Sequence, residues 1–348
     1  MFADVSRLIS GLREFKSGCL EPGSVVTLPS ATVGEGEGGK VLYIREEYVT
    51  ALEMWKQQRK AVGGMLLVIG TPGIGKSLFG RLVFTLEMAK GETVLWVTGE
   101  SKLLFVGDRI IDIQKVTDIG NKHSIKYADV IIVYDTVVGL HKFFGDQSLD
   151  FKCVLALHSP SAQIGSTEKQ MSGGAATRVM NPIALLEALD IRSKIAEADP
   201  GIAAKMGDDA IVQSKFAVCG GSLRYILLTL EEMQKKIDGA VSKLSGDLLA
   251  DAVGGNMLSG DDGRLCHRIL HMWSHSDPGK EFFLRFCSTE VCDRVLNALA
   301  VQKVNVLLEL ANKVDVNGSL RGQVWENRVH SMFCGKKVRQ RRGVCWSH

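Results

Sequence analysis

Residues 65–77, which read MLLVIGTPGIGKS, decide the fold. Residues 65–69 are apolar and predict a buried strand, and residues 70–77 match G-x-x-x-x-G-K-[ST], the pattern of a phosphate-binding loop (P-loop). The glycines let the backbone turn so that successive N–H groups face an anion. Lys76 places a positive charge against the outer phosphates, and the Ser77 hydroxyl can bind Mg²⁺.

The predicted nucleotide contacts come from the whole loop and from the start of the helix after it. This helix, expected from Leu78 to about residue 90, adds the positive end of its dipole to anion binding. The predicted contact residues are Gly70, Thr71, Pro72, Gly73, Ile74, Gly75, Lys76, Ser77 and Leu78. The alternative is a Gly-rich turn that binds nothing, and the flanking strand and helix that the motif requires argue against it.

A second apolar run ends in an acidic residue. Residues 127–135 read YADVIIVYD, and a continuous apolar run is typical of a central parallel strand. We expect Asp135 to lie beside the loop and to complete the Mg²⁺ shell with Ser77. Many ATPases place a glutamate next, to orient the attacking water, but here Thr136 follows, which argues against fast hydrolysis. Glu100 is a weak substitute for that base and is more simply a solvated loop residue.

Further apolar runs extend the pattern into an α/β sheet. Residues 92–97, 151–157 and 177–180 are interpreted as strands, and we place the second of them between the loop strand and the strand that ends at Asp135. This predicts a P-loop NTPase of the additional-strand type with a central parallel sheet. Three regions are expected: helix, strand and Gly-rich linker over 1–60, the NTPase core with a helical lid over 61–235, and a helical region over 236–348.

Three polar residues are candidates for sensing the outer phosphate. His158 and Ser159 follow the predicted strand over 151–157, and a strand-terminating turn is an equally good interpretation of them. Arg224 follows a Gly-Gly pair on a small helix of the lid, from which its charge can reach the phosphates. A positive charge near a helix start is unfavourable against the dipole, and this favours a functional role for Arg224.

Residues 42–48, which read LYIREEY, precede the loop strand and lead into a helix predicted to about residue 60. In nucleoside triphosphatases such a segment often covers the base, which makes Arg45 and Tyr48 candidates for base contacts. We favour the simpler interpretation, a packing helix with a surface salt bridge.

The C-terminal third predicts helix throughout residues 229–315. His267, His271 and His275 then fall on one helical face, where core or interface histidines are favoured over metal ligands because no partner ligands are indicated. This region is a candidate surface for a protein partner. The run KKVRQRR at 336–342 is either a nuclear-import or nucleic-acid patch or a solvated terminus, and both interpretations stay open.

Composition narrows the class of protein. The chain has 348 residues and a formal net charge of +3, too small to imply nucleic-acid binding by itself. We expect no secretory signal, no membrane span and no membrane partner, because no stretch approaches the length of an apolar transmembrane helix. The eight cysteines include no C-x-x-C pair and are expected to be free thiols in a reducing, intracellular compartment.

Several motifs occur in a fixed order: LYIREEY at 42–48, GTPGIGKS at 70–77, YD at 134–135, HSP at 158–160 and GGSLRY at 220–225. This set resembles the Crinkler effectors of oomycetes and chytrid fungi and the retrotransposon hot spot proteins of trypanosomes. The loop alone does not distinguish families, and the segments before and after it make the resemblance more specific. The resemblance covers roughly residues 25–335.

The resemblance implies an NTPase module that binds ATP or GTP with Mg²⁺ and acts in a nucleus, which for an effector is the nucleus of a host cell. The family's Gly-Gly-x-Pro-Arg is Gly-Gly-Ser-Leu-Arg at 220–224, so Arg224 keeps its place without the preceding proline. In many members a restriction-type nuclease follows, and residues 318–333, with Glu326 and His330, resemble its opening helix. The sequence ends at His348, before the later catalytic residues of such a domain, so nuclease activity is not expected.

Three functions therefore remain open from the sequence. The first is slow, Mg²⁺-dependent hydrolysis of ATP or GTP. The second is a nucleotide-gated interaction switch with little turnover, and the third is a degenerate relic of a mobile element. The base is not specified, because no guanine-selecting motif occurs in the expected region.

Overall fold

The computed structural model describes residues 20–28, 41–99, 101–136, 151–158, 174–245, 248–249, 268–274 and 282–299. Several predictions lie outside these ranges. They are the N-terminal helix, the Gly-rich linker, Glu100, Ser159, His267, His275, the nuclease-like segment 318–333 and the basic run 336–342.

The described strands are β1 (Val25–Thr27), β2 (Val41–Tyr43), β3 (Gly64–Ile69), β4 (Thr93–Thr98), β5 (Ser101–Val106), β6 (Arg109–Asp112), β7 (Val130–Asp135), β8 (Cys153–His158), β9 (Ala175–Val179), β10 (Leu270–Ser274) and β11 (Phe282–Phe286). Seven of them form one sheet in the order β6-β5-β4-β7-β8-β3-β9. Five neighbouring strands are parallel to one another: β4, β7, β8, β3 and β9. Strands β5 and β6 continue the sheet beyond β4 as antiparallel strands. Because β8 lies between the loop strand β3 and β7, the predicted P-loop NTPase fold of the additional-strand type is confirmed.

The described helices are α1 (Glu46–Gln58), α2 (Lys76–Ala89), α3 (Asp118–Asn121), α4 (Leu185–Ala198), α5 (Pro200–Met206), α6 (Asp209–Cys219), α7 (Leu223–Ile226), α8 (Leu230–Val241) and α9 (Thr289–Leu299). Every residue of β3 is buried, which explains its continuous apolar sequence. Its alternate side chains face opposite sides of the sheet, so that Leu66 and Val68 share a core with α1 and α2. Met65 and Leu67 belong to the core on the other face.

A third apolar core forms after β9. It joins helices α4 to α9 with β10, and the largest part of it comes from the helices of the predicted lid. The helices of the predicted lid thus share one core with the segment that follows them.

The C-terminal region departs from the prediction. Strands β10 and β11 form an antiparallel hairpin, so the prediction of helix throughout 229–315 is wrong here, although helix α9 is present. His271 lies in β10 with 1% of its surface exposed, not on a helical face with two other histidines. A short apolar run does not distinguish strand from helix by periodicity alone, and packing against the rest of the fold decides.

The described part of the chain contains no helix that is long and apolar enough to cross a membrane. Its cysteines at positions 153, 219, 287 and 292 are free, as expected for these four positions.

Candidate functional site

The predicted phosphate-binding loop joins the carboxyl end of β3 to the start of α2. Its glycines are required by their surroundings, as Gly73 and Gly75 illustrate. Gly73 has φ +86°, and a Cβ atom there would lie 2.7 Å from the Cβ of Arg224. Gly75 has φ +107°, and a Cβ atom there would lie 2.3 Å from the Tyr48 hydroxyl oxygen. Both positions combine a left-handed backbone with a close neighbour, so only glycine fits them.

Lys76 is folded back onto its own loop. Its Nζ donates hydrogen bonds to the carbonyl oxygens of Gly70, at 2.7 Å, and Thr71, at 2.8 Å. The pKa of Lys76 is lowered to about 7: burial is the main cause, the charge of Asp135 opposes it, and the charge of Arg224 adds to it. A phosphate group placed in the loop would offer this buried amine a full counter-charge in exchange for two carbonyl dipoles.

Ser77 and Asp135 meet at the carboxyl edge of the sheet. The Ser77 hydroxyl donates a hydrogen bond to the Asp135 carboxylate, and the charges of Lys76 and Arg81 also act on this carboxylate. Burial raises the pKa of Asp135, and Ser77, Lys76 and Arg81 lower it by a smaller amount, so the net pKa is raised. The structure thus brings together the two oxygen donors predicted to hold Mg²⁺, and hydroxyl and carboxylate oxygens suit that ion.

Arg224 lies directly over the loop on the short helix α7. Its backbone N–H donates to the Gly73 carbonyl oxygen at 3.2 Å. The preceding Ser222 is fully buried, and its hydroxyl oxygen is 2.8 Å from the position of a Cβ atom on Gly73. Within the described residues this hydroxyl has no hydrogen-bond partner. Ser222 was not selected from the sequence, although it belongs to the quoted GGSLRY segment.

His158 occupies the predicted place at the end of β8. It is 7% exposed, and its ring centroid lies 5.7 Å from that of Tyr134. Burial, and to a smaller extent the charge of Lys76, together lower the pKa of His158 to about 4. The imidazole is therefore neutral near pH 7 and can donate one hydrogen bond and accept another.

Arg45 and Tyr48 contact the outer side of the loop. The Arg45 Nη1 donates to the Ile74 carbonyl oxygen at 2.8 Å, and the Tyr48 hydroxyl donates to the Gly75 carbonyl oxygen at 2.9 Å. Arg45 also forms an ion pair of 2.6 Å with Glu187. The favoured interpretation, packing with a salt bridge, describes this geometry, but the salt bridge is buried rather than on the surface, since Arg45 is 3% exposed.

The β10–β11 hairpin also contacts the loop. The backbone N–H of Met272 donates to the Thr71 hydroxyl oxygen at 2.8 Å, across 201 residues of sequence. Two residues after Met272, the backbone N–H of Ser274 donates to the side-chain oxygen of Asn181, which lies just after β9. Nothing local in the sequence of the hairpin indicates these contacts.

Comparisons with known proteins give no family for this chain. No family model matches it, and no curated protein matches it. It is similar to the solved structure of the replication initiator DnaA bound to AMPPCP and single-stranded DNA, with 12% identity, coverage of 87% of this chain and 92% of that chain, and a TM-score of 0.34. It is also similar to a mutant of RuvB from Thermotoga maritima (15% identity, 72% and 93% coverage, TM-score 0.33) and to Drosophila ORC bound to DNA (13%, 85% and 93%, 0.31).

Proposed function

We propose that this chain binds a nucleoside triphosphate, ATP or GTP, together with Mg²⁺ in the loop over residues 70–78, and hydrolyses it slowly. The observation that carries the proposal is the convergence of Lys76, the Ser77–Asp135 pair and Arg224 on one loop whose glycines have left-handed backbone conformations. Three separate segments of the chain contribute these groups, which a Gly-rich turn without a ligand would not require.

Each group has a separate task in this proposal. The loop amides and Lys76 hold the phosphates, and Arg224 places its charge at the outermost one. Ser77 and Asp135 would hold Mg²⁺, which when bound neutralises charge on the phosphate oxygens. His158, neutral and buried, is a further candidate for a hydrogen bond to the outer phosphate.

Turnover is expected to be slow. Thr136 follows Asp135, and it is not a general base that could orient and deprotonate water. The proposed site therefore has the groups that bind and polarise a triphosphate, but position 136 does not provide a general base for hydrolysis.

A nucleotide-gated switch is the second candidate function, and two contacts favour it. The lid contacts the loop through Arg224 and Gly73, and the β10–β11 hairpin contacts it through Met272 and Thr71. A phosphate in the loop would therefore act directly on two segments beyond the core, and these segments could present a surface to a protein partner.

The cellular setting is proposed from the sequence motifs alone. The ordered motifs support an NTPase module of a Crinkler or retrotransposon hot spot type that acts in a nucleus. Nucleic-acid contact through the basic run at 336–342 belongs to this setting, as does the third possibility of a mobile-element relic.

The test is ATP binding and phosphate release by the purified chain with Mg²⁺. We expect Lys76→Ala to weaken binding at least about a hundredfold, since a buried charge-assisted contact is lost. Lys90→Ala is the matched control, because Lys90 lies just after the end of the same helix and pairs with Glu87 at 3.0 Å. Asp135→Ala should remove the gain in affinity that Mg²⁺ gives.

The outcomes separate the candidate functions. Phosphate release that depends on Lys76 and Asp135 supports slow hydrolysis. Binding that depends on Lys76 without phosphate release supports the switch. Equal behaviour of the wild type, Lys76→Ala and Lys90→Ala would contradict both.

A further inference from the structure

We propose that Arg45 and Tyr48 are positioning residues that aim the amides of the phosphate-binding loop at the ligand, and that Glu187 makes this aim depend on the lid. The inference rests on the proposed function, since it concerns how the same loop holds a triphosphate. Neither side chain reaches the ligand in this account, because both act through backbone carbonyl groups.

The geometry of the peptide bond carries the argument. A trans peptide unit is planar, so its C=O and its N–H point in opposite directions. The Ile74 carbonyl shares a peptide unit with the Gly75 N–H, and the Gly75 carbonyl shares one with the Lys76 N–H. Arg45 and Tyr48 bind these two carbonyl oxygens on the outer side of the loop. These hydrogen bonds, with that of the Phe79 N–H to the same Gly75 oxygen at 3.0 Å, therefore hold the two N–H groups on the opposite side of the loop, where the phosphate is expected.

Tyr48 is held rigidly in this role. It is 1% exposed, and its ring packs against Phe79 of α2 with 5.7 Å between the centroids. Its hydroxyl oxygen occupies the space that a side chain at Gly75 would need. The donor is thus in place before any ligand binds, and preorganised donors cost little ordering entropy at the moment of binding.

Arg45 adds a connection to the lid. Its guanidinium binds Glu187 twice, at 2.6 and 3.2 Å, and also the carbonyl oxygen of Asn181 just after β9 at 3.2 Å. Glu187 belongs to the first turn of α4, the first helix of the lid. A single buried cation therefore joins the loop, the end of β9 and the lid. Displacement of α4 would remove the counter-charge of Arg45 and loosen its bond to Ile74.

The closing experiment compares two ligands, Mg²⁺–ATP and Mg²⁺–tripolyphosphate, which has no base. We expect Arg45→Gln to weaken both about tenfold and Tyr48→Phe to weaken both about threefold, from the usual strengths of charged and neutral hydrogen bonds. Glu187→Gln should weaken both ligands less than either of these two variants does. Arg45 borders a polar cavity of about 740 Å³, so water can hydrate Glu187 in Arg45→Gln and the variant is expected to fold.

Arg59→Gln is the matched control, because it removes another partly buried arginine from the same helix region without touching the loop. Urea unfolding of each variant shows how much stability is lost. If affinity follows stability equally in Arg45→Gln and Arg59→Gln, the role is merely structural and the inference fails. A loss for ATP but not for tripolyphosphate would instead assign Arg45 and Tyr48 to the base.

The remaining outcomes are also decisive. Wild-type affinity in Tyr48→Phe and Arg45→Gln would overturn the inference alone and leave the proposed function standing. An effect of Arg45→Gln without any effect of Glu187→Gln would overturn the connection to the lid. A wild-type chain that binds neither ligand would overturn the proposed function, and this inference with it.

Discussion

The two ends of helix α1 use the same kind of ion pair for different purposes. At the start of the helix, Arg45 pairs with Glu187 at 2.6 Å, with 3% and 23% of the side chains exposed. Just after its end, Arg59 pairs with Glu87 at 2.9 Å, with 18% and 1% exposed. The first arginine also binds the phosphate-binding loop, whereas the second also pairs with Glu92, just before β4.

The two arginines differ because Arg45 lies near the carboxyl edge of the sheet and Arg59 near its amino edge. Helix α1 leads into β3, so its end lies near the amino edge of that strand, and the loop follows the carboxyl edge. At the amino edge Trp55 donates its Nε1–H to Glu87 at 2.9 Å, and Lys152 pairs with Glu92 at 2.6 Å. Ligands of open α/β sheets bind at the carboxyl edge. The same chemistry therefore serves stability at one end of the helix and, in our proposal, binding at the other.

The largest expected effect is at the amino edge. Arg59→Ala leaves the Glu87 carboxylate buried, with Trp55 and Lys90 as its remaining partners in the part of the chain that the structure describes. We expect the free energy of unfolding to fall by about 2–3 kcal/mol, as when one partner of a buried pair is removed. ATP affinity should stay within about twofold, because no contact to the loop is lost. Urea titration with and without ATP measures both, and a large loss of affinity at unchanged stability would break the comparison.

A somewhat smaller effect is expected at the loop itself. Gly75→Ala forces a left-handed backbone onto alanine and drives its Cβ against the Tyr48 hydroxyl, so we expect a loss of about 2 kcal/mol in the free energy of unfolding. Gly91→Ala is the control, because Gly91 has φ +77° with no atom within 4 Å of the added Cβ. It should lose only about 1 kcal/mol.

A double variant sharpens this result. In the Tyr48→Phe background the oxygen that meets the added Cβ is gone, so the cost of Gly75→Ala should approach that of Gly91→Ala. Identical costs of Gly75→Ala in the two backgrounds would show that Tyr48 does not shape the loop.

The smallest expected effect is the contribution of the Glu92 carboxylate, at the amino edge, to the pH dependence of stability. Burial raises the pKa of Glu92, but the hydrogen bond and charge of Lys152 and the pair with Arg59 outweigh it, so the net pKa is lowered below 4.5. A carboxylate with a depressed pKa in the folded state stabilises the fold above its unfolded pKa. This stabilisation is lost as the pH falls through the folded pKa.

We therefore expect Glu92→Gln to flatten the loss of stability below about pH 4.5, by at most about 1 kcal/mol because the partners are partly exposed. Urea titrations between pH 3 and pH 7 measure this. An unchanged acid profile in the variant would mean that Glu92 does not contribute to the network.

Local sequence patterns predicted several residues that the structure brings together around the loop. Residues 70–77 carry their geometry in their own glycines, and Asp135 was placed because a buried strand must end at the carboxyl edge. Arg224 was selected as a candidate because a Gly-Gly pair precedes the small helix that carries it, and its role stays a prediction. The strand over residues 151–157 was placed between the loop strand and the Asp135 strand because additional-strand P-loop sheets have that order, and the observed order β7-β8-β3 agrees.

Long-range partners could not be found in this way. Glu187 lies 142 residues after Arg45, and an acidic residue in the first turn of a helix has the simpler explanation of an interaction with the helix dipole. The contact of Met272 with Thr71 uses a backbone N–H, which every residue except proline has. The β10–β11 hairpin was mistaken for helix because its apolar runs are too short for periodicity to distinguish strand from helix, and the packed fold decides its pairing.

The most direct test of the account is the proton balance of ATP binding. Burial lowers the pKa of Lys76 to about 7 in the free chain, and a bound triphosphate must raise it again. Calorimetry with Mg²⁺–ATP at pH 8.5, in buffers with different ionisation enthalpies, should show uptake of about one proton per ATP bound. At pH 6, where Lys76 is already protonated, uptake should vanish, as it should at both pH values in Lys76→Arg.

Uptake at pH 8.5 that disappears in Lys76→Arg would show that the phosphates meet Lys76 in the loop. Binding heats that do not depend on the buffer at pH 8.5, or the same uptake in wild type and Lys76→Arg, would contradict the account.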